Sequence, residues 1–284
     1  MNEISVTING SVVRVAGGTS LKDACTVAGV NTPTLCYLET LTPANACRLC
    51  VVELEGARAL VPSCSRAAED GMVVSTDSER VRDSRRMVLE LLATSVDLSN
   101  SDDVFLGYLE EYGADPTRFD DVQPATVAQQ PKIHDDLFVR DYSRCVLCYK
   151  CVEVCGQDAQ NTFAIAVAGR GFDAHISTEF DVRLDESACV YCGNCIAVCP
   201  TGALLPGTEF DLRKMADWRP EDQTVTHTVC SYCGVGCNLE LHVQDNQVVK
   251  VTSPMDHDIT NGNLCVKGRF GWQYLGSPKI KRKR

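Results

Sequence analysis

Sixteen of the seventeen cysteines fall into four quartets. The first is Cys36-x10-Cys47-x2-Cys50-x13-Cys64. Two runs of one spacing follow, Cys145-x2-Cys148-x2-Cys151-x3-Cys155 and Cys189-x2-Cys192-x2-Cys195-x3-Cys199, the second closed by Pro200. The last is Cys230-x2-Cys233-x3-Cys237-x27-Cys265. Close C-x2-C spacing suits chelation better than cross-linking, because neighbouring thiolates can converge on one centre. Four thiolates complete one iron–sulfur cluster, so the quartets offer ligands for four, and the chemistry is electron transfer. Structural zinc needs only the C-x2-C pairs and leaves the third and fourth cysteines of each central run unexplained. Cys25 alone stands outside, at a helical position in an apolar pattern, as a buried small hydrophobe.

The run ending Cys199-Pro200 resembles the bacterial ferredoxin ligand pattern. In two-cluster ferredoxins the fourth cysteine of each run ligates the other cluster. The resemblance therefore implies one [4Fe–4S] centre on Cys145, Cys148, Cys151 and Cys199, and a second on Cys189, Cys192, Cys195 and Cys155. Gly156 stands where the first run would ordinarily carry proline, which costs no ligand.

The first quartet, in Leu35-Cys36-Tyr37, Ala46-Cys47-Arg48-Leu49-Cys50-Val51-Val52-Glu53 and Pro62-Ser63-Cys64, resembles the [2Fe–2S] domain of the large iron–sulfur subunit of respiratory complex I. Backbone amides around Arg48 and Leu49 are placed to hydrogen-bond the sulfurs. That family follows with a [4Fe–4S] site of one histidine and three cysteines. Residues 94–103 offer neither thiolate nor histidine for it, and His134 lies too far along.

Around the last quartet, Cys230-Ser231-Tyr232-Cys233-Gly234-Val235-Gly236-Cys237 and Leu264-Cys265-Val266-Lys267-Gly268-Arg269 resemble the N-terminal [4Fe–4S] domain of Mo/W-bis-pterin enzymes, above all cytoplasmic formate dehydrogenase catalytic (alpha) subunits. The resemblance implies an electron-relay role toward the pterin for Lys267, whose plain alternative is a surface lysine. Gly234 and Gly236 would let backbone approach the cluster, and Gly268 would serve a tight turn.

The elements that position these ligands make an α+β, multidomain chain. Residues 1–76 read as a β-grasp [2Fe–2S] domain. Its first hairpin turns at Asn9-Gly10, a helix runs over 21–28, a second hairpin surrounds Glu55-Gly56-Ala57, and 72–76 close the sheet. Residues 77–139 form a helical connector without the His/Cys cluster, with apolar contacts from Val81, Val88, Leu89 and Leu92, then Leu106, Leu109 and Tyr112. Pro116, Pro124 and Pro131 mark the remainder as connector. Residues 140–212 are an internal duplication forming the ferredoxin domain, and 213–223 a linker. Residues 224–284 form a small β-rich domain with a hairpin at Asp245-Asn246 and a basic tail over 279–284.

The net charge of −11 argues against nucleic acid as a partner. No window approaches a membrane span, no secretory signal is visible, and free thiols suit the reducing cytoplasm. No Walker, dinucleotide-loop or Ser-His-Asp pattern appears, so no catalytic residue is assigned. The expectation is an electron-transfer subunit, or split N-terminal part, of a formate dehydrogenase-like complex, carrying one [2Fe–2S] and three [4Fe–4S] clusters. It would bridge a Mo/W-bis-pterin catalytic subunit and a flavin/NAD-linked iron–sulfur subunit. The alternatives are a diaphorase-type subunit of a hydrogenase or NADH dehydrogenase, a truncated catalytic subunit, and a non-redox zinc scaffold.

Overall fold

Asn9 and Gly10 both adopt positive φ, the backbone of a two-residue hairpin turn, and join β1 (Glu3–Ile8) to β2 (Ser11–Ala16). This hairpin belongs to a computed structural model that describes residues 2–119 and 130–275. Asp120, Asp121, Pro124 and the basic tail lie outside the described residues. The chain divides into two compact units, residues 1–126 with 146–149, and residues 127–145 with 150–284.

In the first unit Ser20 caps α1 (Leu21–Val27) by accepting from the Asp23 amide. Strands β3 (Val51–Leu54), β4 (Val61–Pro62) and β5 (Val73–Ser75) complete a five-stranded sheet of order β2-β1-β5-β3-β4. The β1–β5 pair is parallel and the others antiparallel. Val6, Ile8, Val15, Leu21, Val52 and Val74 fill the space between sheet and helix, with Cys25 buried among them.

Helices α2 (Glu79–Ser95) and α3 (Asp103–Glu111) begin at Ser78 and Asp102, each capping through its side chain. Their inner faces close a second core of Leu35, Leu49, Leu89, Phe105 and Tyr112, so the connector helices support the loop that bears Cys36 and Cys47. On α3 the buried face runs through Phe105, Tyr108, Leu109 and Tyr112, the i, i+3, i+4, i+7 spacing of one helical stripe. Leu106, expected on that face, points to solvent because it stands one position out of the stripe.

The second unit opens with β6 (Phe138–Arg140), which pairs with β9 (Leu204–Pro206) across the two cysteine runs. Helix α4 (Lys150–Cys155) carries Cys151 and Cys155 of the first run, and α5 (Asn194–Ala197) carries Cys195 of the second. A small hairpin of β7 (Ala166–Ala168) and β8 (His175–Ser177) separates them. Helix α6 (Gly207–Lys214) leads to residues 217–223, where Arg219 bonds Asp222 and Asp245 and its amide donates to Gln244. Strands β10 (Thr224–Val229), β11 (Asn238–Gln244) and β12 (Gln247–Thr252) form an antiparallel sheet, with positive φ at both Asp245 and Asn246 in the turn. Helix α7 (Val266–Phe270) follows Cys265.

Glu209 on α6 ties this sheet to the residues before it. Its carboxylate is 2 % exposed, 2.8 Å from Arg213 and 2.8 Å from Lys250 on β12. Burial alone would raise its pKa, but Lys250 and then Arg213 hold it below the usual carboxylate range. A folded value below the unfolded one means stabilisation that is present at neutral pH and lost as pH falls through the folded value. Glu209→Ala is expected to cost about 3 kcal/mol. Denaturation followed by the fluorescence of Trp218 and Trp272, both in this unit, checks it, and an unmoved midpoint would contradict the role given to Glu209.

Candidate metal centres

All seventeen cysteines are free thiols. In the first quartet they stand as two pairs. The Cys47 thiol donates to Cys36, holding Cys36 down to about 6 while Cys47 is pushed up. The Cys64 thiol stands likewise against Cys50, 3.3 Å from it, too far for a disulfide. Cys36 and Cys47 both act electrostatically on Cys64, so the two pairs share one neighbourhood. Two thiols per metal atom, with two such pairs side by side, suit a two-iron cluster.

The backbone presents donors to these sulfurs. The Leu35 amide lies 3.5 Å from Cys47 Sγ and the Cys47 amide 3.4 Å from Cys36 Sγ. Amides of Leu49 and Ala46 also bond Cys47 and Cys36. The expected Leu49 donor is thus present, joined by the amides of Leu35, Ala46 and Cys47. Arg48 has φ of 58°, a left-handed turn between Cys47 and Cys50.

Arg85 of α2 fixes that loop from behind. Only 2 % exposed, it donates to the Leu49 carbonyl at 3.0 Å, the Val51 carbonyl at 2.9 Å and the Tyr112 hydroxyl at 2.9 Å. Sequence reasoning missed it, since a helix arginine carries no signal of burial. Cys25, though near, is pushed up to about 11 by burial and stays a core thiol, as expected.

In the second unit one cavity is lined by Cys155, Cys189, Cys192 and Cys195 together, with Phe138 and Ile165 among its apolar walls. Cys155 comes from the other run, and Cys199 is not among the lining residues. Burial raises Cys189, Cys192 and Cys195, and Cys155 acts electrostatically on all three. The runs match in backbone as well as spacing. Leu147 and Tyr149 in the first, and Tyr191 and Gly193 in the second, occupy equivalent positions and all have positive φ. Only one of the four is glycine, so residue type gave no sign of this conformation. The Tyr191 amide donates to Cys189 Sγ at 3.4 Å. Of the remaining set, Cys145, Cys151 and Cys199 belong to the second unit, while Cys148 falls in the segment grouped with the first.

The fourth quartet gathers at the end of β10 and the start of α7. Cys230 is buried, Cys233 and Cys265 are exposed, and Cys230, Cys233 and Cys265 all act on Cys237. The Cys230 amide donates to the Cys237 carbonyl at 2.8 Å, folding the loop back on itself. Gly236 has φ of +71°. Gly268 corrects the sequence expectation, for it lies inside α7 rather than in a turn. A Cβ there would make only ordinary contact with Leu264 and Leu239, so neither a turn nor close packing requires glycine at this position. Lys267 is exposed on the same helix.

Among the described residues no three His, Cys, Asp or Glu side chains are gathered for a single metal ion. The donors present, all thiols, paired or spread around a cavity and served by N–H groups, fit iron–sulfur clusters.

This is the donor chemistry of an iron–sulfur chain, and comparison with known proteins agrees. Residues 1–79 match the 2Fe-2S iron-sulfur cluster binding domain, residues 144–203 the 4Fe-4S dicluster domain, and residues 223–277 the molybdopterin oxidoreductase Fe4S4 domain. The chain is 36% identical over 290 residues to the NADPH-Fe(3+) oxidoreductase subunit alpha of Geobacter sulfurreducens, covering 97% of this chain and 32% of that protein. It is 28% identical over 312 residues to a Staphylococcus haemolyticus protein provisionally named a formate dehydrogenase, covering 96% and 31%. The chain thus spans about a third of the length of these curated relatives. A solved NAD+-reducing [NiFe]-hydrogenase chain shares the fold, with a TM-score of 0.61 at 24% identity over 72% of this chain and 87% of that one. Among the described residues no helix is long and apolar enough to cross a membrane.

Arg85→Met keeps the bulk of the side chain and leaves two loop carbonyls without donors. Unsatisfied buried groups of this kind cost about 1–3 kcal/mol each. The expected outcome is selective loss of iron from the first quartet, read as a diminished two-iron EPR signal with the four-iron signals retained. An undiminished two-iron signal would contradict the role given to Arg85.

Proposed function

We propose that the chain is an electron relay within a formate dehydrogenase-like complex, between a pterin-metal site on a partner and a flavin/NAD-linked subunit. The observation that carries the reading is the single cavity lined by Cys155, Cys189, Cys192 and Cys195, because thiols from two separated runs have no reason to share it unless they ligate one centre. On this reading Cys36, Cys47, Cys50 and Cys64 hold a [2Fe–2S] cluster. Cys145, Cys148, Cys151 and Cys199 hold one [4Fe–4S] cluster, Cys189, Cys192, Cys195 and Cys155 a second, and Cys230, Cys233, Cys237 and Cys265 a third. Bound there, the clusters supply reversible one-electron transfer.

The chain's own residues fix and insulate those centres. Leu35, Leu49 and Phe105 exclude water behind the first quartet, and Phe138 and Ile165 do so at the shared cavity. Amides of Leu35, Ala46, Leu49 and Tyr191 hold negative charge on sulfur by hydrogen bonding. The order of β1, β5 and β3 in the first sheet supports the β-grasp reading of the two-iron domain.

The match of residues 223–277 to a molybdopterin oxidoreductase domain supports placing the pterin partner at the fourth quartet, with exposed Lys267 facing outward as the relay residue. The likeness to a protein named as a formate dehydrogenase supports formate as the substrate of the complex. The two-iron domain would then face the flavin/NAD-linked partner, with electrons able to run either way.

Anaerobic purification of the intact complex, with pterin, flavin and metal analysis and a formate-dependent NAD reduction assay, tests this. Copurified pterin- and flavin-bearing partners and formate-driven reduction are expected. A complex containing neither cofactor would overturn the bridging role.

A further inference from the structure

Two arginines in the second unit are buried beside the shared thiol cavity, and among the described residues no carboxylate is bonded to either. Arg140, on β6, is 2 % exposed and lines the cavity itself. Among the described residues its Nη1 is buried with no partner within hydrogen-bond distance, and the same holds for the hydroxyl of Tyr142, on which Arg140 acts electrostatically. Asp181 lies within electrostatic reach of Arg140, but it is more than half exposed and already bonded to Lys132.

Arg269 comes from the other direction, on α7, two residues beyond Lys267. It is 3 % exposed, and its stem crosses Gly193, where a Cβ would stand 2.8 Å from Arg269 Cγ. Glycine at 193 is therefore required by this close approach, since Tyr149 takes the same left-handed backbone in the first run with a side chain in place. Arg269 donates to the Val251 carbonyl at 3.3 Å, the Gly262 carbonyl at 3.2 Å and Asn194 Oδ1 at 3.3 Å. Asn194, between Cys192 and Cys195, also accepts from the Leu264 amide at 2.9 Å, one residue before Cys265. Nε of Arg269 is buried and, among the described residues, unpartnered.

A buried cation is costly unless an anion compensates it. Arg140 lines the cavity that Cys155, Cys189, Cys192 and Cys195 share, and Arg269 lies against Gly193 and Asn194, between Cys192 and Cys195, so the sulfur side of the cavity is where the compensating charge for both arginines falls. We propose that Arg140 and Arg269 are the fixed counter-charges of the centre held by Cys155, Cys189, Cys192 and Cys195, and raise its reduction potential. Adding an electron makes that centre more negative by one charge, and nearby buried cations stabilise the reduced form. Because α7 also carries Lys267 and follows Cys265, the fourth-quartet domain delivers one of the two charges that set its neighbour's potential. Asn194 orients Arg269 and pins Leu264, so it is a positioning residue.

The inference rests on the cluster assignment above, and its test separates the two. Potentiometric EPR on the anaerobic holoprotein is run for the parent, Arg140→Gln, Arg269→Gln and the lysine variants Arg140→Lys and Arg269→Lys, with iron and sulfide measured on each. Each glutamine variant is expected to shift one four-iron signal at least about tenfold toward the oxidised form, about 59 mV lower for a one-electron couple. Lysine should restore most of the shift, and the other signals should stay in place. Full iron content with all midpoints unmoved in the glutamine variants would overturn the counter-charge role. A parent protein without iron or sulfide would instead overturn the cluster assignment. If Arg269→Gln fails to retain iron, Arg140→Gln and the two lysine variants decide the matter, since charge loss without potential change in the former is itself contrary.

Discussion

The structure depends on thiols that are far apart in sequence being forced into one neighbourhood. A thiolate taken from water is unfavourable, and several together repel, as the raised Cys189, Cys192 and Cys195 show. Such sets persist in a fold only when something cationic or hydrogen-bonding compensates them. In the first unit the compensation is backbone amides turned inward at left-handed Arg48, with Arg85 bracing the loop carbonyls. In the second unit amides again serve, now with Arg140 and Arg269 buried close by.

This constraint explains features that are otherwise arbitrary. Tyr191 takes positive φ and its amide donates to Cys189 Sγ, and non-glycine Leu147 and Tyr149 take the same backbone in the first run. The helices of the connector are the wall behind the first quartet, since Leu89 and Phe105 meet Leu35 and Leu49. The exposed Cys233 and Cys265 contrast with buried Cys36 and Cys50, so the fourth quartet is the more open of these two sites.

What sequence made legible was whatever is local. Cysteine spacing names ligands without any knowledge of tertiary structure. Asn9-Gly10 and Asp245-Asn246 carry their hairpins in their own backbone preferences, and Ser20 marks its helix start. Long-range facts were illegible. Nothing near Arg85, Arg140 or Arg269 distinguishes them from surface arginines until distant residues are in place, such as Leu49, 36 positions from Arg85, and Asn194, 75 positions from Arg269. Gly268 was misread because glycine at a turn and glycine inside a helix look alike in one dimension. Leu106 was misplaced by one residue because an apolar pair, Phe105-Leu106, leaves the helical phase ambiguous.

Mössbauer spectroscopy of the anaerobically prepared chain, with parallel iron, sulfide and zinc analysis, tests the central claim most directly. Occupancy of all four quartets corresponds to one two-iron and three four-iron clusters, roughly 14 iron atoms per chain with matching sulfide. Zinc in the quartets with no acid-labile sulfide would contradict the account.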